Sequence, residues 1–344
     1  MKEPANKHSE RMSMQRIYTW VQVAVLSLGM TALAAEAAPV ASDSRFQRQA
    51  DALMKDYVQG ELFTGTVLVA RGGKVMFRKA YGAANREWTI PNAVDTRYRI
   101  GSITKPFTAT AILQLADENK LGLDDPIGKY LPDLPTSWGQ ASIRQLLSHT
   151  SGIPSHTSLE DFDAKLRPVR HTPQELIELL KDLPLNYEHG TKFRYNNMAY
   201  VLLGRIIETV TGMSYPDYLE HKLLRPLKLR NSGYDDGRAV VSRLAQDYTG
   251  GASGVLKGRF FNMSNAYAAG AMYSTVDDLL AWQQMLVQGK VLSQPSLKAM
   301  FTDGGHRYGL GWFVRETASR ARWSSTVATS AGIARCWRIT RMIG

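Results

Sequence analysis

The sequence predicts a mixed α/β protein in which an N-terminal hairpin opens a sheet that later strands return to complete. Three observations carry that prediction. Thr66 to Ala70 and Val75 to Tyr81 are β-rich runs joined at Gly72-Gly73, a hairpin signal. A helix-rich stretch then dominates as far as Phe301, and Tyr308 to Glu316 goes back to strand character.

Taken in order, the chain opens like an export signal. Lys7, Arg11 and Arg16 precede an apolar run from Tyr18 to Ala35, and Ala35-Glu36-Ala37 gives a small-residue cleavage site ahead of Pro39. Residues 1–37 are therefore expected to be a signal peptide, and the mature chain an exported, periplasmic or extracellular protein without stable membrane insertion. A helix over 45–58, with Phe46, Leu53, Met54 and Tyr57 on one side, leads into the hairpin. A second helix should run from Ser102 to about Asn119. Phe107, Ala111, Ile112 and Leu115 make it too apolar all round to face water. Gly122–Pro135 and Ser148–Pro154, rich in Asp, Pro, Ser and Gly, read as loops. Helices are expected at Thr172–Asp182, Met198–Thr211, Tyr215–Leu224, Thr275–Gln288 and Gln294–Phe301.

Composition narrows the function. The 344 residues are 44% hydrophobic and 21% charged, which excludes a mainly disordered chain. A single cysteine excludes a disulfide framework and any multi-cysteine metal site. The net charge of +11 is unevenly spread. Residues 38–316 hold 33 basic against 28 acidic side chains, and Thr317–Gly344 has five arginines and no acid. No basic stripe or helix appears, so nucleic acid is not an expected partner.

Two motifs could carry chemistry. Ser102-Ile103-Thr104-Lys105 is the only Ser-x-x-Lys. At the start of a buried helix, free backbone N–H groups favour developing negative charge on Ser102. Lys105 shares its helical face, and a desolvated lysine can take a hydroxyl proton. The plainer alternative is a serine cap with an exposed lysine. Tyr195-Asn196-Asn197 is the only Tyr-x-Asn: a tyrosine can relay a proton and an asparagine amide can hold a substrate carbonyl or the lysine. On these residues alone, a helix cap at Asn197 with Tyr195 packed on the core is the favoured reading.

The surrounding blocks resemble one family. Arg99-Ile100-Gly101-Ser102-Ile103-Thr104-Lys105-Pro106-Phe107-Thr108 is similar to the nucleophile segment of the serine β-lactamase and penicillin-binding-protein superfamily, in its class C and esterase-like branch. The resemblance continues through Leu121–Pro126, Ile143–Pro154, Phe193–Asn197, Tyr200–Gly204, Ala269–Thr275 and Tyr308–Trp312, covering roughly residues 45–316. It implies an α/β (α+β) fold of β-lactamase/transpeptidase type, with an antiparallel sheet flanked by helices, a mostly helical second region and the site between them. It also implies Ser102 as acylated nucleophile, Lys105 as its base, Tyr195 as second proton-transfer residue and Asn197 as a substrate-side donor. No metal or cofactor is implied. His149 lies in a family-like loop and reads as structural.

The resemblance stops after about residue 316. The family's third motif, Lys-Thr-Gly or His-x-Gly on a strand facing the serine, occurs nowhere in the chain. Thr317–Gly344 reads as a non-family basic tail, and the sheet is expected to lack its C-terminal strands. The genetic code offers a cause. If Arg322–Ala328 is written CGG-TGG-TCG-AGC-ACG-GTG-GCG, the frame starting on each third base reads Val-Val-Glu-His-Gly-Gly. The expectation is thus a single-base shift near residues 317–321, with the hydrolase domain over 38–316.

Functionally, the sequence is expected to encode an exported serine hydrolase acting through an acyl-enzyme on an amide, peptide or ester. Its substrate would be a small molecule or a peptidoglycan-derived group, and loss of the third motif would impair it. The rival is a non-catalytic cell-wall or partner-binding module on the same fold.

Overall fold

Residues 41–251, 254–316, 322–329 and 334–340 are described in a computed structural model of the chain. The expected signal peptide, residues 1–37, lies outside them. Helix α1 (Ala41–Gln59) lies against a hairpin of strands β1 (Gly65–Arg71) and β2 (Lys74–Tyr81). Asp51 accepts from Lys79 Nζ at 2.7 Å and from the Tyr81 hydroxyl at 2.8 Å. Gly72 and Gly73 have φ of 56° and 82°, the left-handed pair that a two-residue turn between right-twisted strands requires.

Strands β3 (Ala83–Asn85) and β4 (Ile90–Pro91) pair next, and β5 (Tyr98–Arg99) leads to a 3-10 turn, Gly101–Ile103. Helix α2 (Thr104–Asp117) follows. The expected helix start at Ser102 is thus replaced by one tighter turn. Pro106 falls in the first turn of α2, where a missing N–H costs no helical bond. Residues 104–113 and Leu115 are buried, as the all-round apolar pattern demands. Phe107 stacks on Trp282 at 4.1 Å, and Trp282 on Trp312 at 5.6 Å.

The helical region comprises α3 (Thr136–Gly139), α4 (Ile143–Leu147), α5 (Pro173–Glu178), α6 (Asn197–Thr211) and α7 (Tyr215–Tyr218). α5 starts on a capping box between Thr172 and Glu175 but ends short of the expected Asp182. The chain must leave helical geometry ahead of Pro184, and Leu180 N–H already bonds back to Ile177 O in an i→i+3 turn. The expected helix Tyr215–Leu224 is divided between α7 and a wider π-turn at Leu219–Leu224.

Strands β6 (Gly233–Tyr234), β7 (Tyr248–Gly251) and β8 (Gly254–Lys257), helix α8 (Tyr267–Gly270) and strand β9 (Met272–Ser274) come next. β9 pairs antiparallel with both β5 and β6, setting Tyr273 opposite Arg99. This ties α8 to the Ser102 turn. Helices α9 (Val276–Val287) and α10 (Gln294–Met300) cover the core.

Only the end of Tyr308–Glu316 is strand, β10 (Phe313–Glu316); Tyr308 bridges to Phe313 across a tight turn. The tail differs from expectation. Instead of contributing no strands, it forms β11 (Arg322–Thr329) and β12 (Ala334–Thr340), making an antiparallel sheet in the order β10-β11-β12. An open β10 edge offers a row of N–H and C=O groups to any β-prone segment. Trp323, Thr326, Val327, Trp337 and Ile339 give the tail that propensity. Among the described residues, the opening hairpin and this sheet are separate ladders rather than one continuous pairing. The fold is mixed α/β with antiparallel sheets, as expected.

Candidate active site

Lys105 is 1% exposed, and the partners of its Nζ are all neutral. They are Ser102 Oγ at 3.2 Å, Asn197 Oδ1 at 2.8 Å and the Ala269 carbonyl at 2.8 Å. Burial alone holds its pKa well below the ordinary lysine value. The Nζ also sits 4.7 Å from the centroid of the Tyr195 ring and 5.3 Å from that of Tyr200. Burial pushes the Tyr195 phenol up, against a smaller opposing effect from its hydrogen bond with the Ser102 side chain.

The four candidate residues therefore converge from two segments. The Gly101–Ile103 turn and the first turn of α2 bring Ser102 and Lys105. The chain entering α6 brings Tyr195 and Asn197. α6 is capped by Asn196, whose side chain accepts from Ala199 N–H at 3.1 Å. The capping alternative for Asn197 is thus met by its neighbour, and the Asn197 amide is left to receive Lys105 and to donate to Thr157 Oγ1 at 3.0 Å. Lys105 is buried, so the alternative of a serine cap with an exposed lysine does not describe this site.

Beside Ser102 lies a cavity of about 330 Å³ whose walls include Asn197, Thr157, Arg99, Arg259, Phe261 and Met263. Strand β11 runs alongside the Gly101–Ile103 turn. The sequence there reads Ser324-Ser325-Thr326, not Lys-Thr-Gly or His-x-Gly. Among the described residues, no group of three or more His, Cys, Asp or Glu side chains could hold a metal ion.

Sequence reasoning missed three parts of the site. The Ala269 carbonyl lies in one of the family-like blocks, so a signal existed; Thr157 had none. The third is His149, read as structural. It is fully buried, and burial, aided by nearby Lys105, holds its pKa well below the usual imidazole range. Its Nδ1 accepts from Asn196 N–H at 3.1 Å, which leaves Nε2–H to donate to the Tyr308 hydroxyl at 3.1 Å. Asp124 and Asp125, in the Gly122–Pro135 stretch read as a loop, accept from Arg144 and from Gly122 N–H, Lys129 and Tyr130 respectively.

Over residues 46–336 the chain matches the beta-lactamase family, a stretch that runs past Glu316. It is 32% identical over 263 residues to PbpX of Bacillus subtilis (strain 168), named as a penicillin-binding protein, with 76% of this chain and 64% of PbpX aligned. The chain thus spans less than two thirds of that relative. A penicillin-binding protein from Bacillus halodurans superposes with a TM-score of 0.75 at 26% identity, over 84% of this chain and 90% of that one. A D-stereospecific amidohydrolase from Streptomyces sp. gives 0.72 at 29% identity, over 88% and 91%.

Proposed function

The chain belongs to the beta-lactamase family, a superfamily of serine hydrolases, and from that premise we propose that it is an exported hydrolase working through an acyl-Ser102 intermediate. The observation that carries the reading is the buried Lys105 amine, 3.2 Å from Ser102 Oγ with only neutral partners. A neutral amine has two N–H donors and one lone pair. Asn197 Oδ1 and the Ala269 carbonyl, both acceptors, take the two donors; the lone pair is left for the Ser102 hydroxyl.

In the proposed reaction Lys105 takes the Ser102 proton as Oγ bonds to the substrate carbonyl carbon. The C–N or C–O bond then breaks, and the leaving amine or alcohol takes a proton from the Tyr195 phenol, which burial keeps protonated. Lys105 returns its proton to Tyr195. Water next attacks the acyl ester, releasing the acid and restoring Ser102. Asn197 orients Lys105 and the substrate.

The names of the relatives support a small amide or peptide, including peptidoglycan-derived ones, as the first substrate class to try. Lacking the side chain and glycine of a Lys-Thr-Gly or His-x-Gly motif on the strand beside Ser102, the site should turn over slowly, because an oxyanion donor out of place costs ~10²–10³ in rate. That absence also favours the second reading, a binding module that keeps the fold without turnover. Labelling with a fluorescent penicillin and a fluorophosphonate, with Ser102→Ala as control, separates them. Ser102-dependent label supports the hydrolase; a folded chain without label supports the module.

A further inference from the structure

We infer that the cavity receives the acyl part of the substrate, and that this part has an apolar body and a carboxylate at its far end, met by Arg259. The inference rests on the serine-hydrolase reading and adds the substrate class. Its first support is which groups line the cavity. Asn197 and Ser102 do so, whereas Tyr195, the proton donor to the leaving group, does not. The leaving group therefore departs on the Tyr195 side and the acyl part occupies the cavity.

The second support is how the far wall is built. Arg167 is buried, and every face of its guanidinium is used. Nε donates to the Phe260 carbonyl and Nη2 to the Arg259 carbonyl, both at 3.2 Å, while Nη1 meets Asp163 at 3.1 Å. Its own carbonyl accepts from Asn262 N–H at 2.9 Å. Arg167 thus pins residues 259–262, and its guanidinium lies 5.7 Å from the Phe261 ring centroid. Phe261 and Met263 form an apolar surface on this fixed backbone.

The third support is charge. Asp163 is shared between two guanidiniums: Arg167 at 3.1 Å and Arg259 Nη1 at 3.5 Å. One carboxylate between two cations leaves this end of the cavity positive. The other acids near the cavity, Asp235 and Asp247, share the single guanidinium of Arg99, at 2.7 and 3.6 Å, so the negative excess lies at the Arg99 end and the positive one at Arg259. Arg259 is the accessible member of the pair, with 65% of its side chain exposed. A pinned backbone carrying an exposed, under-neutralised guanidinium suits a carboxylate.

The test compares three 4-nitrophenyl esters of equal acyl length: hexanoate, the adipate half-ester and 6-trimethylammoniohexanoate. Their kcat/KM values are corrected for spontaneous hydrolysis and measured on the full chain and on Arg259→Lys, Arg259→Gln and Arg259→Glu. At low salt the adipate should lead hexanoate by about three- to fivefold, the range of an exposed ion pair. The lead should persist in Arg259→Lys, vanish in Arg259→Gln, shrink with added salt and pass to the trimethylammonium ester in Arg259→Glu. Ser102 labelling runs in parallel. Label without any charge preference, or a preference indifferent to Arg259→Glu, overturns the inference and leaves the hydrolase standing. Absence of label overturns both.

Discussion

His149 holds the chain on both sides of Tyr195. Its carbonyl accepts from Arg194 N–H at 3.0 Å and its Nδ1 accepts from Asn196 N–H at 3.1 Å, while the two rings lie 4.4 Å apart. The tyrosine that faces Lys105 is thus fixed through its peptide neighbours by a neutral imidazole. His149→Ala should orphan the Asn196 N–H and open a void, costing about 3–5 kcal/mol. If His149 positions Tyr195, fluorophosphonate labelling of Ser102 should also slow about tenfold or more at temperatures where near-UV circular dichroism is still native. A lower Tm with an unchanged labelling rate would leave His149 only a packing residue.

Lys105 should set the pH dependence of acylation. Burial holds its folded pKa well below the value near 10.4 of an unfolded lysine. The base form therefore accumulates at lower pH than free lysine allows, and the labelling rate should rise and level off below the range in which a free lysine titrates. Stability follows with a definite sign. Between the folded and unfolded pKa values the unfolded chain holds the extra proton, so stability rises with pH through that window. Lys105→Met should flatten this slope in urea titrations and abolish labelling. A labelling midpoint at or above 10.5 would contradict the neutral-amine reading.

Most of this arrangement was legible in the sequence, for reasons that differ by residue. Ser102 and Lys105 could be paired because a three-residue spacing and an all-apolar helix together imply a buried amine. The hairpin ends fell within a residue of expectation because Gly72-Gly73 leaves few alternative turns. What could not be read was carried by backbone atoms and distant segments. The Ala269 carbonyl meets Lys105 only because β9 pairs with β5, and Thr157 meets Asn197 across a loop with no periodic pattern. The strands β11 and β12 were missed for another reason. Their sequence lacks clean alternation, yet an open β10 edge can pair with any chain of sufficient β-propensity.

Tyr195→Phe separates proton delivery from nucleophilic attack. A buried, protonated phenol matters most when the leaving group is a poor one, because it must be protonated as the bond breaks. The variant should lose about 10²–10⁴ in kcat/KM on amides but much less on 4-nitrophenyl esters, whose leaving group departs unaided. Equal losses on both classes would move Tyr195 from acid to general structural support, with Lys105 handling both protons.

Gly311 joins the Tyr308–Trp312 turn to helix α2, which carries Lys105. Its φ is 85°, and an added Cβ would stand 2.8 Å from Ala109 Cβ and 3.3 Å from the Lys105 carbonyl. Gly311→Ala thus combines left-handed strain with a clash against α2, at a cost of about 2–4 kcal/mol. Because the displaced atoms belong to the turn carrying Lys105, labelling of Ser102 should fall along with the urea midpoint. Gly305→Ala, also at positive φ but with open space around it, is the control and should cost less.

The strand beside the Ser102 turn is the place to test the reading frame. β11 pairs with β10 and β12 and lies against Gly101–Ile103, where the family carries Lys-Thr-Gly or His-x-Gly and this chain reads Ser324-Ser325-Thr326. If residues 322–328 are written with the codons CGG-TGG-TCG-AGC-ACG-GTG-GCG, a one-base shift near codons 317–321 gives Val-Val-Glu-His-Gly-Gly over the same stretch. Resequencing codons 310–344 should reveal that shift. A chain carrying the shifted frame should label Ser102 about 10²-fold faster, the scale of a restored oxyanion donor. If the frame stands as written and the exchanged strand brings no gain, the β11 backbone already supplies whatever the site requires, and the expectation of slow turnover falls.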